Sequence, residues 1–321
     1  MSTALGRPPR IVSLLPAATE IVAALGLTDA LVGVSHECDH PPAVNALPRV
    51  THCEIHGNAR PSRDIDAWVS DALARTGTLY TMDEPLLRRL RPDLLLTQRL
   101  CDVCAVGYGT VRAFAATLPG PPQVVSLEPA TLSDIFADIG RVAEAAGVSA
   151  RAGPLVASLR ERVEVVRTRA ALAPSRPRCV LLEWVDPPFA GGHWNPELVE
   201  IAGAFDPLGR PGAPARRVEW EEVRRADPEV LLVAACGFDL ERTRRDLPLL
   251  AGHEGWEATP AVRDGRVWAA DGSQYFSRPG PRVVDSLEIL AQIVHPELFA
   301  GRFPPRAVMR VETQAARETA R

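Results

Sequence analysis

Residues 149–172, SARAGPLVASLRERVEVVRTRAAL, run for 24 residues in a helical pattern and close on APSRPR. A helix of that length would span roughly 36 Å. This outlasts the crossover of an ordinary βαβ unit, and so predicts a rigid strut between two separately folded lobes. The flanking sequence agrees. Before it, the short strand RIVSLL (10–15) leads into PAATEIVAALGL, with Pro16 at the helix mouth, and ALVGVS (30–35) reads as a second strand. EPLLRRLRP followed by DLLLTQ repeats the helix-to-strand step, and PQVVSLE (122–128) adds a further strand. These strands lack polar alternation, as expected of a parallel sheet covered on both faces. LSDIFADIGRVAEAAG then forms a helix that Gly147 can stop before the strut begins.

A second series follows the strut: CVLLEW (179–184), PELVEIAG, EWEEVRRA, EVLLVAA (229–235), RVWAAD (266–271) and the helix VVDSLEILAQIVHP. The polar stretch after Phe303 has no apolar period and is expected to fray. The predicted class is α/β, with two lobes of parallel-rich sheet flanked by helices, joined by one long helix, and a ligand cleft between them. The boundaries read as 9–130 for the first lobe, 131–174 for the connecting helices, 175–298 for the second lobe and 299–321 for a flexible tail.

Composition removes several chemistries. All 36 basic residues are Arg, so a Schiff-base Lys, a P-loop Lys and a kinase strand Lys are excluded. A net charge of −4 gives no footprint for nucleic acid. No apolar run has the length of a membrane span, so the chain is not membrane-embedded. No signal-type apolar region precedes RIVSLL. As written the chain reads as cytoplasmic, and as periplasmic or extracytoplasmic if a leader was removed.

Loops at the carboxyl ends of the strands are where an α/β protein places ligands. Here they gather Pro16, Ala17, Thr19, Gln98, Glu183, His193 and Arg278. Aromatics are 5% of the chain, yet Trp184, Phe189, Trp194, Phe238, Tyr275 and Phe276 all fall in these loops. Loops are poor places to bury six aromatics, which favours a broad, flat ligand held by stacking, with Arg for its acidic groups. Thiols and imidazoles cluster in HECDH, HCEIH and LCDVC. His36, Cys38, Cys101 and Cys104 are the candidate ligands for a transition metal such as zinc or iron, since C-x-x-C suits one knuckle of such a site. Unbound thiols packed in a loop remain the alternative, as does axial ligation of cobalt or iron in a bound macrocycle. Cys101 does not open a helix after a first βαβ strand, which argues against thioredoxin-type redox chemistry.

RIVSLLPAATEIVAALGLTDALVGVSHECDHP, LEPATLSDIFADIGRVAEAAG and VRDGRVWAADGSQYFSRPGPRVVDSLEILAQIVHPE together resemble the helical-hinge (class III) substrate-binding proteins of ABC transporters, in their cobalamin-binding and iron-chelate group. The likeness runs from about residue 9 to 298. SHECD, LCDVCAV, LEWVDPPFAGGHW and CGFDLERT resemble one branch of that group. The resemblance implies a non-catalytic protein binding a small-molecule metal chelate, with cobalamin or another corrinoid as ligand. It also implies an ABC permease as partner, docked through Glu84 and Glu221, which read equally as solvated helix-start carboxylates favoured by the dipole. Two features depart from the group: its signal peptide is not seen, and Gln98 or its neighbours stand where a ligand-flanking Trp is expected. The alternative is a cytoplasmic metal-binding protein or metalloenzyme that re-uses the fold, with Glu37, Glu54 or Glu183 moving protons. No triad, nucleotide loop or H-E-x-x-H motif assigns a catalytic residue.

Overall fold

The computed structural model describes residues 7–53, 60–76, 78–99, 106–299, 301 and 303–312. Strand β1 (Ile11–Ser13) is buried throughout and passes into α1 (Pro16–Ala24). Pro16 fits there because the first helical turn needs no backbone donor. The chain continues through β2 (Leu31–Val34), β3 (Thr51–Cys53), α2 (Ser62–Thr76), β4 (Tyr80–Met82), α3 (Glu84–Leu90), β5 (Leu94–Thr97), α4 (Tyr108–Ala115), β6 (Gln123–Ser126) and α5 (Leu132–Ala145). Asp83 caps α3 by accepting from the Leu86 amide at 2.9 Å. The sheet order is β2-β1-β5-β6, parallel in every pairing, while β3 and β4 form a separate antiparallel pair. Val12, Leu14, Leu87, Leu95, Val111 and Phe114 form the core between sheet and helices.

Helix α6 (Ala152–Ala170) follows, 19 residues long or about 28 Å. It is shorter than the stretch predicted from sequence. Ser149–Arg151 make a separate 3-10 turn, and Pro154 places the helix start just ahead of it, where a missing donor is tolerated. Ala171 and Leu172 turn out of the helix before Pro174.

Beyond α6 lie β7 (Cys179–Trp184), β8 (Phe189–Ala190), α7 (Asn195–Ile201), β9 (Arg216–Arg217), α8 (Trp220–Arg225), β10 (Val230–Val233), α9 (Leu240–Ala251), α10 (Pro260–Arg263), β11 (Val267–Ala270), α11 (Val283–Val294) and β12 (Val308–Arg310). The order is β12-β11-β10-β7-β8-β9. The central β11, β10 and β7 are parallel, β8 pairs antiparallel with β7, β9 antiparallel with β8, and β12 antiparallel with β11. Val308–Arg310, inside the stretch expected to fray, instead pair with β11 because Val308 and Met309 offer an apolar edge strand to its open side.

By contact the chain divides into two compact units. The first draws on Met1–Gly57, Ala67–Pro129 and Ser133–Leu159, and the second on Asn58–Asp66, Ala130–Leu132 and Arg160–Arg321. Among the described residues no helix is long and apolar enough to cross a membrane.

Candidate functional site

In the second unit, β7 delivers Glu183 and Trp184 to the carboxyl end of the sheet. The loop after β10 delivers Phe238, whose ring lies 4.8 Å from that of Trp184 at 48°. Arg242 caps this pair, its guanidinium 4.5 Å from the Phe238 centroid. Asp239 sets Arg242 in place by capping α9, accepting from the Arg242 amide at 2.7 Å. The buried guanidinium is neutralised by Asp246 in a two-pronged pair at 2.8 and 3.1 Å. The result is a layered wall of indole, phenyl and guanidinium, in which Phe238 and Arg242 are buried and Trp184 is partly exposed.

Glu183 in β7 holds the segment from Gly192 to Asn195, and Asn195 in turn holds the Gly272–Phe276 turn. Glu183 Oε1 accepts from the Gly192 amide at 2.9 Å and from Asn195 Nδ2 at 2.8 Å, and Asn195 Nδ2 also donates to the Phe276 carbonyl at 3.2 Å. Burial outweighs these bonds and, with the nearby Asp206 charge, pushes the Glu183 carboxyl up to about 7. His193 is pinned through its backbone, donating to Ala213 O at 2.6 Å and accepting from Gly212 N at 2.9 Å, with φ of 52°. Its ring lies 5.8 Å from that of Trp194, and burial lowers its pKa, so the imidazole is neutral at pH 7. Phe189 pairs with Trp184 across β7 and β8. Trp194, Tyr275 and Phe276 are buried within the unit, the last two in a π-helical turn over Gly272–Phe276. Arg282 lies over the Tyr275 ring, 5.5 Å from its centroid, and Arg278 is buried with Ser273 Oγ 3.4 Å from its Nη2.

In the first unit, Thr19 and Cys38 meet between α1 and the loop after β2, their Oγ1 and Sγ 3.1 Å apart. Cys38 Sγ also lies 3.4 Å from Ser35 Oγ and is buried. Ala17 is buried beside them and Pro16 half-buried. His36 is held by Thr51, whose Oγ1 accepts from the His36 amide at 3.1 Å and meets Nδ1 at 2.8 Å. Its ring lies 5.4 Å from that of Tyr80. Burial first, then the charges of His52 and Arg49, lower the His36 pKa, so it too is neutral near pH 7. Leu14, Ser35, His36, Glu37, Thr51, Tyr80 and Val106 line a shallow surface dip. Gln98 is buried and bridged by backbone to Gly107.

Cys101, Cys104 and Glu54 lie outside the described residues. Among the described residues no group of three or more His, Cys, Asp and Glu side chains is arranged to hold a metal. Glu84 is exposed on α3, 3.6 Å from Arg88. Glu221 is exposed on α8 and held by Arg224 at 2.7 Å and Arg225 at 3.7 Å. Sequence reasoning missed Arg242, Asp246 and Asn195 as parts of this site. The i,i+4 spacing of Arg242 and Asp246, just after the capping Asp239, was the available signal.

The family model for the periplasmic binding protein matches residues 11–273. The chain belongs to the periplasmic binding protein family. The chain is 24% identical over 290 residues to the vitamin B12-binding protein of Vibrio cholerae serotype O1, covering 87% of this chain and 86% of the relative. Among solved structures, a periplasmic heme-binding protein from Pseudomonas aeruginosa matches with a TM-score of 0.70 at 20% identity, covering 96% of this chain and 99% of that one. The heme-binding protein RhuT from Roseiflexus sp. RS-1 matches with a TM-score of 0.68 at 23% identity, covering 90% and 99%. These structures establish the fold, two lobes of α/β type.

Proposed function

We propose that the chain is a non-catalytic binding protein for a flat metal chelate, a corrinoid such as cobalamin or a related macrocycle, and that it hands this ligand to an ABC permease. The observation that carries the reading is the Trp184–Phe238 pair, set at the carboxyl end of parallel strands with a buried Arg behind it. The partly exposed Trp184, backed by buried Phe238, offers a π face with little hydrogen-bonding capacity, which suits a planar conjugated ligand better than a sugar or a peptide. Membership of the periplasmic binding protein family and the vitamin B12- and heme-binding relatives support the same class.

Within the first unit, the neutral, Thr51-oriented His36 is the proposed metal-binding group. Exposed Glu84 and Glu221 remain the proposed permease contacts. Docking there would exchange their intramolecular Arg partners for partners on the permease.

Titration of the purified chain with hydroxocobalamin and, separately, with hemin tests the reading through the visible spectrum. A saturable one-to-one shift with one of them is expected, and Trp184→Ala is expected to weaken it about tenfold. Absence of any saturable shift with both would overturn the assignment.

A further inference from the structure

Residues 60–66 pack with the second unit, although the chain from Ala67 onward counts with the first. Three contacts hold their leading end. Arg242 Nη2 donates to the Arg60 carbonyl. The Ser62 amide donates to Asp246 Oδ2 at 3.1 Å. Arg63 pairs with Asp186 at 2.9 Å, two residues beyond Trp184. Arg242 therefore faces two ways: its plane lies over Phe238, and its nitrogens grip this segment and Asp246. The docked arrangement also leaves donors unmet. Ser62 Oγ, Thr243 Oγ1, Arg242 Nε and Trp184 Nε1 are buried with no hydrogen-bond partner among the described residues. Each carries an uncompensated desolvation cost, which favours local opening of this contact over global unfolding.

We infer that Arg242 is a positioning residue for the Trp184–Phe238 wall, and that residues 60–63 are the clasp that fixes it. With the clasp docked, Nη2 bonds the Arg60 carbonyl as well as Asp246, and the ring beneath the guanidinium is held against Trp184. With the clasp released, the guanidinium loses its Arg60 acceptor, Asp246 loses the Ser62 donor, and the wall loosens. That the wall receives a flat ligand rests on the reading above; the clasp itself does not.

The test uses Ser62→Pro. Ser62 is the first residue of α2, where proline is tolerated, so the substitution deletes the donor to Asp246 and spares the helix. Hydrogen exchange should quicken about tenfold at the amides of Asp64 and Ile65, with β7 and β10 unchanged. The emission of Trp184, obtained by subtracting the Trp184→Phe spectrum, should shift in parallel. Arg242→Lys keeps a charge for Asp246 but loses the fork and the stacking plane, and should give the same emission change. Unchanged exchange at 64–65, or faster exchange with unaltered Trp184 emission in both variants, would overturn the inference. Exchange that rises evenly across the second unit would mark a merely structural role and overturn it too. Where hydroxocobalamin or hemin binds the parent, Ser62→Pro should bind it about fivefold more weakly. If neither probe binds the parent, the binding reading falls, while exchange and emission still judge the clasp.

Discussion

At pH 8 the Glu183→Gln variant should be more stable to denaturant than the parent by about 3 kcal/mol, and at pH 5 by less than about 1 kcal/mol. The carboxyl sits at the carboxyl end of β7 with its pKa raised to about 7, chiefly by burial. The folded chain therefore binds this proton more tightly than the unfolded one. Its contribution to stability is complete below the ordinary carboxylate pKa and is lost as pH rises through about 7. Glutamine keeps an oxygen for Gly192 N and Asn195 Nδ2 but never has to carry a buried charge. Asp206 and Asp138, each raised to about 6 by burial, act in the same direction at lower pH. Both proteins should therefore lose stability between pH 5 and 7, and only the parent should lose the Glu183 share as well. Urea melts at three pH values measure this directly. Parallel curves for parent and variant from pH 5 to 8 would show that Glu183 carries no such burden.

The α/β class was readable because β1, β5, β7 and β10 are continuous apolar runs that mark themselves as doubly covered strands. The antiparallel pair β3–β4 was not readable. Its strands are three residues each, and their partners Thr51↔Met82 and Cys53↔Tyr80 lie far apart in sequence. With it went the surroundings of His36, since Thr51 and Tyr80 reach that imidazole only through this pairing. The strut was over-extended because periodicity does not register a 3-10 turn at Ser149–Arg151.

Among the aromatic candidates, composition and loop position could not separate wall from interior. Trp184 lies partly exposed against Phe238, whereas Phe276 is fully buried in the π-helical turn. Both are aromatics near a strand end. What distinguishes them is the path of the loops, which depends on Gly192, Asn195 and Gly272 more than on any aromatic.

That dependence predicts the larger structural effect: Gly192→Ala should cost about 3 kcal/mol of stability, at the upper end for an overpacked site. A Cβ there would sit 2.1 Å from Ala215 N and 2.5 Å from Pro214 C, both backbone atoms that no rotamer change can move aside. Relief requires the His193 loop and the strand entering β9 to part, which breaks the 2.6 Å bond from His193 N to Ala213 O and draws Gly192 N away from Glu183. Gly272→Ala meets the same kind of obstacle, with its Cβ 2.2 Å from the Ala235 carbonyl. Ala235 O accepts from Phe238 N at 3.1 Å, and Phe238 O accepts from Ser273 N at 3.0 Å. Strain at Gly272 should therefore reach the aromatic wall and weaken ligand binding as well as the fold. Gly140 in α5 supplies the control, because a Cβ there meets nothing within 4 Å. Gly140→Ala should stabilise the chain by roughly 0.5–1 kcal/mol through helix propensity alone. Calorimetric melts of the three variants decide the matter. A Gly192→Ala protein that melts with the parent would mean the loop has room that its backbone geometry denies.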